Sequence, residues 1–541
     1  DRLKGKKQRS HLTALLGGLL VAFNPALIYY SQETRMYELL AFLALLATVL
    51  LIRWLKTGTR LKTKTAAAYT VTLTAGLYTH YFFPAVLLTH ALILFVYWAA
   101  NVRRSGKSLY NALRWLVLPI SAVLLYLPWL PIFIRQAGGR PATRLPITQF
   151  LTDAGRFLAF GATIPPATAR WPLAGLLLLL LVGLLPVRRR FTLYHLAAAL
   201  SLAVPVLFMW LAGTTTAPYY KFMLTAVPPL ALLAAHGFYQ LAQFARTIPL
   251  RLSAVLAAVM FGLLLWGNGR SLQNMYFDPA YARADYRGIA ARISAENDTS
   301  TGTKAAVILN AANQWEVFTY YYKDVDAVYP LPRGFPDPAQ IDAELNTLTE
   351  QYDRLYAIFW GEAERDPERL VERWLDANTF KARDEWVGDV RFVTYSVPDE
   401  PPGEMETAVR ATFGESITLL GYTIQSDTLQ PGDILQIALY WETAVPLETR
   451  YKVFLHLVGP DGQLWSQQDS EPGGNLALTT TWPPNETIQD NHGLLVPLEA
   501  PPGQYTLLLG LYDIADPAAR LPINTLSGPT DALSLPVLIS K

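Results

Sequence analysis

From Tyr29 to Tyr37 the chain reads YYSQETRMY, so three tyrosines surround Gln32, Glu33 and Arg35 within one short segment. Tyrosines at a membrane surface, with an arginine reaching towards water, make an ordinary interfacial belt. A belt gives no reason for a carboxylate beside a guanidinium, and ionisable groups at membrane level are functional candidates by default. Two further groups have the same character. His80 and Tyr81 lie in a tight turn between apolar runs, and Tyr219, Tyr220 and Lys221 precede another. A lone histidine serves structure as readily as a site. Glu33 and His80 lack a third ligand, so no metal site is expected. His90 lies inside an apolar run and reads as a hydrogen bond between helices. The segment ITQFLTDAGRFLAF carries apolar residues at helical spacing, with Asp153 and Arg156 on another side. It reads as an amphipathic helix on a membrane surface or as a cover over a site.

The elements that must hold these residues follow from composition. The chain has 541 residues, 52% hydrophobic and only 16% charged. Soluble proteins average about 45–50% apolar and about 25% charged. Apolar runs fill the chain to about Trp266, and after Asp278 the composition is that of a soluble protein. Nine membrane helices are expected, at about 11–30, 36–54, 66–82, 84–100, 115–134, 171–187, 192–212, 219–243 and 252–269. Runs such as LAGLLLLLLVGLL do not alternate, which favours helices over a barrel.

Alternate loops differ in charge. One set, with the N-terminal stretch, RWLKTGTRLKTK, NVRRSGKSLYNALR, Arg188, Arg189, Arg190, Arg246 and Arg251, carries 19 Lys and Arg. The other, with Arg35, the loop from Arg135 to Arg170 and Lys221, carries 7. The first set is therefore expected inside, and everything after Trp266 outside the cytoplasm. No inverted pair of broken helices of the transporter kind is visible. The net charge of +2 gives no reason to expect nucleic acid as a partner. The absence of cysteine excludes disulfides, thiolate metal sites and a cysteine nucleophile.

The expected fold is a polytopic α-helical membrane bundle over residues 1–272, a small α/β domain over 273–400 and a β-sandwich over 401–541. AAVILN and RLYAIFW read as buried strands, and DPERLVERWLDAN as a helix with Asp366 as cap and Pro367 at its first position. No GxGxxG and no Walker loop is present, so no nucleotide site is expected. YKVFLHLVG and GQYTLLLGLYD alternate, putting Tyr451, Val453, Leu455 and Leu457 on one face of the first, and Tyr505, Leu507, Leu509 and Leu511 on one face of the second. Such sandwiches serve either sugar binding or architecture.

NPALIYYSQETRMYELL resembles the "P…YSQEaRmY" segment of bacterial glycosyltransferase family 39, relatives of the dolichyl-phosphate-mannose–protein mannosyltransferases with the GT-C membrane fold. GLYTHYFFPAVLL continues the likeness, and YKFMLTAVPPLALLAA resembles the family's late "RY…P" helix. The likeness spans the membrane half. It implies an inverting hexosyltransferase of the bacterial inner (plasma) membrane, without cofactor. The sugar would pass from a polyprenyl-phosphate donor to an acceptor hydroxyl on a lipid, glycan or protein outside the cytoplasm. Arg35 and Lys221 would meet the donor phosphate, and Gln32, Glu33, Tyr37, His80, Tyr81 and Tyr220 would complete a substrate site. Two departures stand out. Lys221 replaces the family's arginine, keeping charge but losing the bidentate fork. The family's catalytic aspartate lies in a first outer loop that would precede Asp1, so the base is expected upstream and this chain alone is expected to be inactive. The alternatives are a non-catalytic membrane protein displaying its outer domains for binding or assembly, and a transporter.

Overall fold

The computed structural model describes residues 2–56, 63–105, 109–137, 143–185, 192–244, 252–299, 302–400, 403–425, 428–525 and 528–540. Several cations of the more basic loops, Lys107, Arg188, Arg189, Arg190, Arg246 and Arg251 among them, lie outside the described residues. The chain divides into two units, Asp1–Asp278 and Pro279–Lys541.

The first unit is helical: α1 (Arg2–Ala22), α2 (Pro25–Ser31), α3 (Tyr37–Lys56), α4 (Thr63–Thr79), α5 (Pro84–Ser105), α6 (Leu109–Tyr126), α7 (Leu130–Ala137), α8 (Ile147–Phe160), α9 (Pro166–Leu184), α10 (Leu193–Leu211), α11 (Val227–Phe244) and α12 (Leu252–Phe277). A 3-10 helix, Ala217–Ala226, leads into α11. Against the nine spans expected, six segments among the described residues are long and apolar enough to cross a membrane: α3, Leu116–Gln136, α9, α10, Ala217–Gln243 and α12. A seventh arises if α1 and α2 count as one bent span. α4 falls short because it is only 17 residues long and carries six threonines, and the apolar part of α5, Pro84–Ala100, is too short.

Local chemistry explains the breaks. Asn24 caps α2 by accepting from the Leu27 amide at 3.1 Å, while Pro25 opens the helix where no amide donor is needed. The axis bends by 52° there. The Asn24 amide donates to the Leu158 carbonyl of α8 at 2.9 Å, which anchors the bend. Elsewhere small residues bring helices together. A Cβ on Gly237 of α11 would overlap the Leu179 carbonyl of α9, and one on Gly183 would overlap the Leu233 carbonyl. His90 is fully buried. It links α5 to Thr48 of α3 at 3.1 Å and to Tyr69 of α4 at 2.9 Å.

The second unit begins with α13 (Tyr286–Thr299), β1 (Ala305–Leu309), α14 (Trp315–Tyr321), β2 (Val328–Pro330), α15 (Pro338–Gln351), β3 (Arg354–Phe359), α16 (Glu362–Arg365), α17 (Leu370–Asn378), β4 (Phe380–Val387) and β5 (Val390–Ser396). β1 pairs in parallel with β2 and β3 and is buried along its length. That fits helices on both faces, with Ile289 and Phe318 on one side and Ile341, Leu345 and Leu375 on the other. Asp366 caps α17 as expected, accepting from the Leu370 and Val371 amides at 2.9 and 3.0 Å. The helix itself starts at Leu370, because Arg369 takes a left-handed conformation.

The remaining strands are β6 (Thr407–Phe413), β7 (Ile417–Ile424), β8 (Thr428–Leu429), β9 (Ile434–Thr443), β10 (Tyr451–Val458), β11 (Leu464–Ser470), β12 (Ile488–Leu495), β13 (Gly503–Asp513), β14 (Asp516–Arg520), β15 (Ile523–Thr525), β16 (Gly528–Thr530) and β17 (Leu533–Ile539). One sheet has the order β11-β10-β13-β17-β8, with β14 on β13. Its inner face carries Val453, Leu455, Leu457, Leu507, Leu509 and Leu511, all fully buried. The other sheet has 11 strands, β16-β15-β6-β7-β9-β12-β4-β5-β3-β1-β2. It runs through both regions that the sequence divides near residue 400, joined where β12 meets β4 in parallel at His492 and Lys381.

Candidate functional site

Three segments distant in sequence meet at Tyr37. Tyr37 opens α3 and is 3% exposed. Its ring lies 5.9 Å from His80, in the turn after α4, and 6.2 Å from Phe222 in the 3-10 helix. His80 and Phe222 are 4.5 Å apart. The Lys221 ammonium sits 5.1 Å from the Tyr37 ring centroid, and Tyr30 of α2 packs edge-on against the same ring at 5.6 Å. The result is a cluster of aromatic rings with one cation lying against a ring. His80 accepts the Phe82 amide on its Nδ1 at 3.0 Å, which fixes the ring's orientation.

The other expected residues are dispersed. Tyr220 turns away from Tyr37 towards α8, packing on Phe157 at 5.6 Å and Phe150 at 6.2 Å. Tyr81 donates to Gln136 of α7 and packs on Phe133 at 5.4 Å. Gln32 donates to the Tyr276 hydroxyl of α12 at 2.9 Å. Glu33 and Arg35 occupy the turn before α3, with Arg35 exposed. The Arg35 amide donates to the Glu33 carbonyl at 2.7 Å, and no ion pair joins their side chains among the described residues. Arg35 and Lys221 likewise have no carboxylate partner among the described residues. The amphipathic segment forms α8, and it buries Phe150, Ala154 and Phe157 in the bundle. Arg156 pairs with Asp153 at 3.6 Å and donates to the Ile164 carbonyl at 2.9 Å.

Glu38 was not singled out by sequence. Its Oε1 is buried and has no hydrogen-bond partner among the described residues. A carboxylate in the first turn of a helix is favoured by the helix dipole, so the sequence YELL reads as a normal helix start. The available signal was the rule already applied to Glu33, an ionisable group inside an apolar span. Glu38 points about 100° around α3 from Tyr37.

A second concentration of charge lies in the strand-rich unit. Lys381 of β4 is 2% exposed and meets Asp376 at 2.8 Å, Glu372 at 3.2 Å and the Gly474 carbonyl at 3.1 Å. Arg391 of β5 donates to Glu372 and to Asp384, the latter at 2.7 Å. Burial works against the Glu372 carboxylate, but the Arg391 hydrogen bonds and the charges of Lys381, Arg391 and Arg369 hold its pKa down to about 2. Burial dominates at Asp376 and pushes it up to about 7 against the pull of Lys381. Here the charges are matched inside the protein, at the seam where β12 joins β4. A polar cleft of about 710 Å³ opens beside it, with Arg383, Asp384, Lys452 and Glu499 in its walls and no aromatic ring among its lining residues for a sugar to stack on. No group of three or more potential metal ligands occurs among the described residues.

No family model matches the chain, and no curated protein matches it. Among solved structures, the C-terminal domain of wzt is 14% identical over 24% of this chain and 77% of its own, at a TM-score of 0.18. A Niemann-Pick type C2 protein from the Japanese carpenter ant is 8% identical over 25% of this chain and 98% of its own, at 0.17. Likenesses of that size carry no argument about fold or function.

Proposed function

We propose that the chain belongs to a multi-pass membrane glycosyltransferase that takes a sugar from a polyprenyl-phosphate donor, with its strand-rich unit outside the cytoplasm. The observation that carries this reading is the meeting of Tyr37, His80 and Lys221. Each comes from one of the three segments that resemble family 39, and nothing else in the sequence requires them to be neighbours. The membrane setting is supported by the helical unit's surface, where Trp171, Phe95 and Leu177 are 76%, 61% and 57% exposed. Apolar side chains spread over so many helices suit lipid rather than water.

In this reading Lys221 neutralises the phosphate that leaves when the sugar is transferred. A cation already in place where charge develops lowers the barrier without reorganisation. Arg35, at the turn that delivers Tyr37, is a second cation for the same anion. Tyr37 and Tyr30 flank the sugar, and His80 holds the aromatic wall through its fixed ring. The general base on the acceptor hydroxyl is a carboxylate. Glu38, whose Oε1 is buried without a hydrogen-bond partner among the described residues, is the carboxylate next to Tyr37 in sequence.

The test is turnover of a polyprenyl-phosphate-linked hexose in membranes carrying the intact protein. Lys221→Ala reduces it by well over tenfold at unchanged protein level, and Lys221→Arg retains it. Turnover indifferent to Lys221→Ala sinks the proposal and favours a display protein without catalysis.

A further inference from the structure

A groove of about 380 Å³ runs between α3, α5, α10 and α11. Its volume lies within the range of roughly 300–1,000 Å³ usual for small-ligand sites. Sequence explains why it exists. Ala44, Ala197 and Ala198 leave space where larger side chains would close it, and Pro228 and Pro229 sit where the 3-10 helix gives way to α11. The walls are apolar, with Leu45, Val49, Ile52 and Leu232 among them. Two hydroxyls in the lining, on Ser201 and Thr225, have no hydrogen-bond partner among the described residues.

One end differs from the rest. Arg53 and Lys56, in the last turn of α3, lie there with Tyr194 of α10. Lys56 donates to the Tyr194 hydroxyl, and its ammonium lies 3.8 Å from that ring's centroid. This contact fixes the lysine and leaves the tyrosine O–H available as a donor. No aspartate or glutamate lines the groove, so an apolar slot ends in two cations and a hydroxyl with no internal counter-charge. That arrangement complements an amphiphile with an anionic head.

Position along α3 chooses between amphiphiles. Tyr37 and Lys56 are the two ends of the helix, about 28 Å apart at 1.5 Å per residue, which is close to a bilayer's hydrocarbon thickness of about 30 Å. A phosphate held near Lys221 and Tyr37 cannot also be held by Arg53 and Lys56. We infer that the groove holds a resident anionic phospholipid of the opposite leaflet. Its phosphate lies on Arg53, Lys56 and the Tyr194 hydroxyl, and one acyl chain lies against Leu45, Val49 and Leu232. The inference rests on the membrane setting and not on the proposed reaction.

Native mass spectrometry of the full chain in detergent tests this with palmitoyl-oleoyl phosphatidylglycerol, the phosphatidylcholine of the same chains, and undecaprenyl phosphate as probes. One phosphatidylglycerol is retained under activation that strips phosphatidylcholine. Arg53→Gln with Lys56→Gln lowers its occupancy at least tenfold; both side chains are exposed, so the lipid-free unfolding temperature stays unchanged. Ala198→Phe, which fills the groove but keeps both cations, removes it as well. Lys221→Ala leaves it in place. Equal retention of phosphatidylcholine, retention of phosphatidylglycerol by both groove variants, or displacement by undecaprenyl phosphate at equal concentration each overturns the inference. Any of these, with Lys221-dependent turnover intact, leaves the proposed reaction standing.

Discussion

Lys221 and Lys381 are the same residue type in opposite circumstances. Lys381 is 2% exposed and touches two carboxylates and a carbonyl. Lys221 is half-buried, lies on a tyrosine ring and has no carboxylate partner among the described residues. The difference extends to the units around them. The strand-rich unit brings Lys381, Arg391, Arg369, Glu372, Asp376 and Asp384 into one network. In the helical unit, Asp153 with Arg156 is the sole ion pair among the described residues. A buried charge that is matched at its contacts belongs to the architecture, because removing one partner leaves the other uncompensated inside the protein. A cation left on an aromatic surface, with counter-charges elsewhere, is suited to an anion from outside.

If that contrast is right, removing each lysine has a different consequence. Lys381→Met leaves Asp376 and part of Glu372 without their cation inside the protein. Uncompensated buried charge costs about 3–5 kcal/mol, read from denaturant unfolding followed by tryptophan fluorescence. A loss below about 0.5 kcal/mol, typical of surface positions, breaks the comparison. Lys221→Ala changes stability by no more than that surface value.

The helical unit should instead be sensitive where backbones meet. Gly237→Val puts a branched side chain into the Leu179 carbonyl. Overpacking costs about 1–3 kcal/mol and shows as a lower unfolding temperature in detergent. Gly262, with nothing near its missing Cβ, accepts alanine without loss. Equal effects at the two glycines contradict the close approach of α9 and α11.

The smallest effect sharpens the electrostatics of the Lys381 network. Asp376 has a folded pKa raised from 3.8 to about 7, so its contribution is full below pH 3.8 and is lost as pH rises through about 7. Glu372 is lowered from 4.5 to about 2, so its contribution is present above pH 4.5 and is lost as pH falls through about 2. Asp376→Asn removes the first slope and keeps the second. Unfolding midpoints of the variant measured from pH 4 to pH 8 should fall less with rising pH than those of the parent. An unchanged slope assigns the titration elsewhere.

Much of this was legible in the sequence because it was local. The alternation in YKVFLHLVG and GQYTLLLGLYD gives an apolar face in each strand, and Asp366 signals a cap, whereas the helix expected at about 11–30 runs straight through Asn24-Pro25, where the axis bends. The helix count was less secure: six threonines dilute α4. The site was legible only as three segments. No periodicity tells that Tyr37, His80 and Lys221 touch, or that Tyr81 and Tyr220 leave the group for Phe133 and Phe157. Those partners lie tens of residues away, and neighbouring side chains on a helix diverge by about 100°. The join of β4 to β12 was hidden for the same reason, since a parallel pairing between residues 381 and 492 carries no turn signal between adjacent strands.

The most direct test of the central claim is binding of polyprenyl phosphate at Tyr37. A photoreactive undecaprenyl phosphate is equilibrated with the purified chain in phosphatidylcholine nanodiscs, and crosslinks are mapped by mass spectrometry. The account predicts adducts within α2, the first turn of α3 and the 3-10 helix, lost in Lys221→Ala and kept in Lys221→Arg. Adducts that persist unchanged in Lys221→Ala, or that fall outside those segments, contradict it.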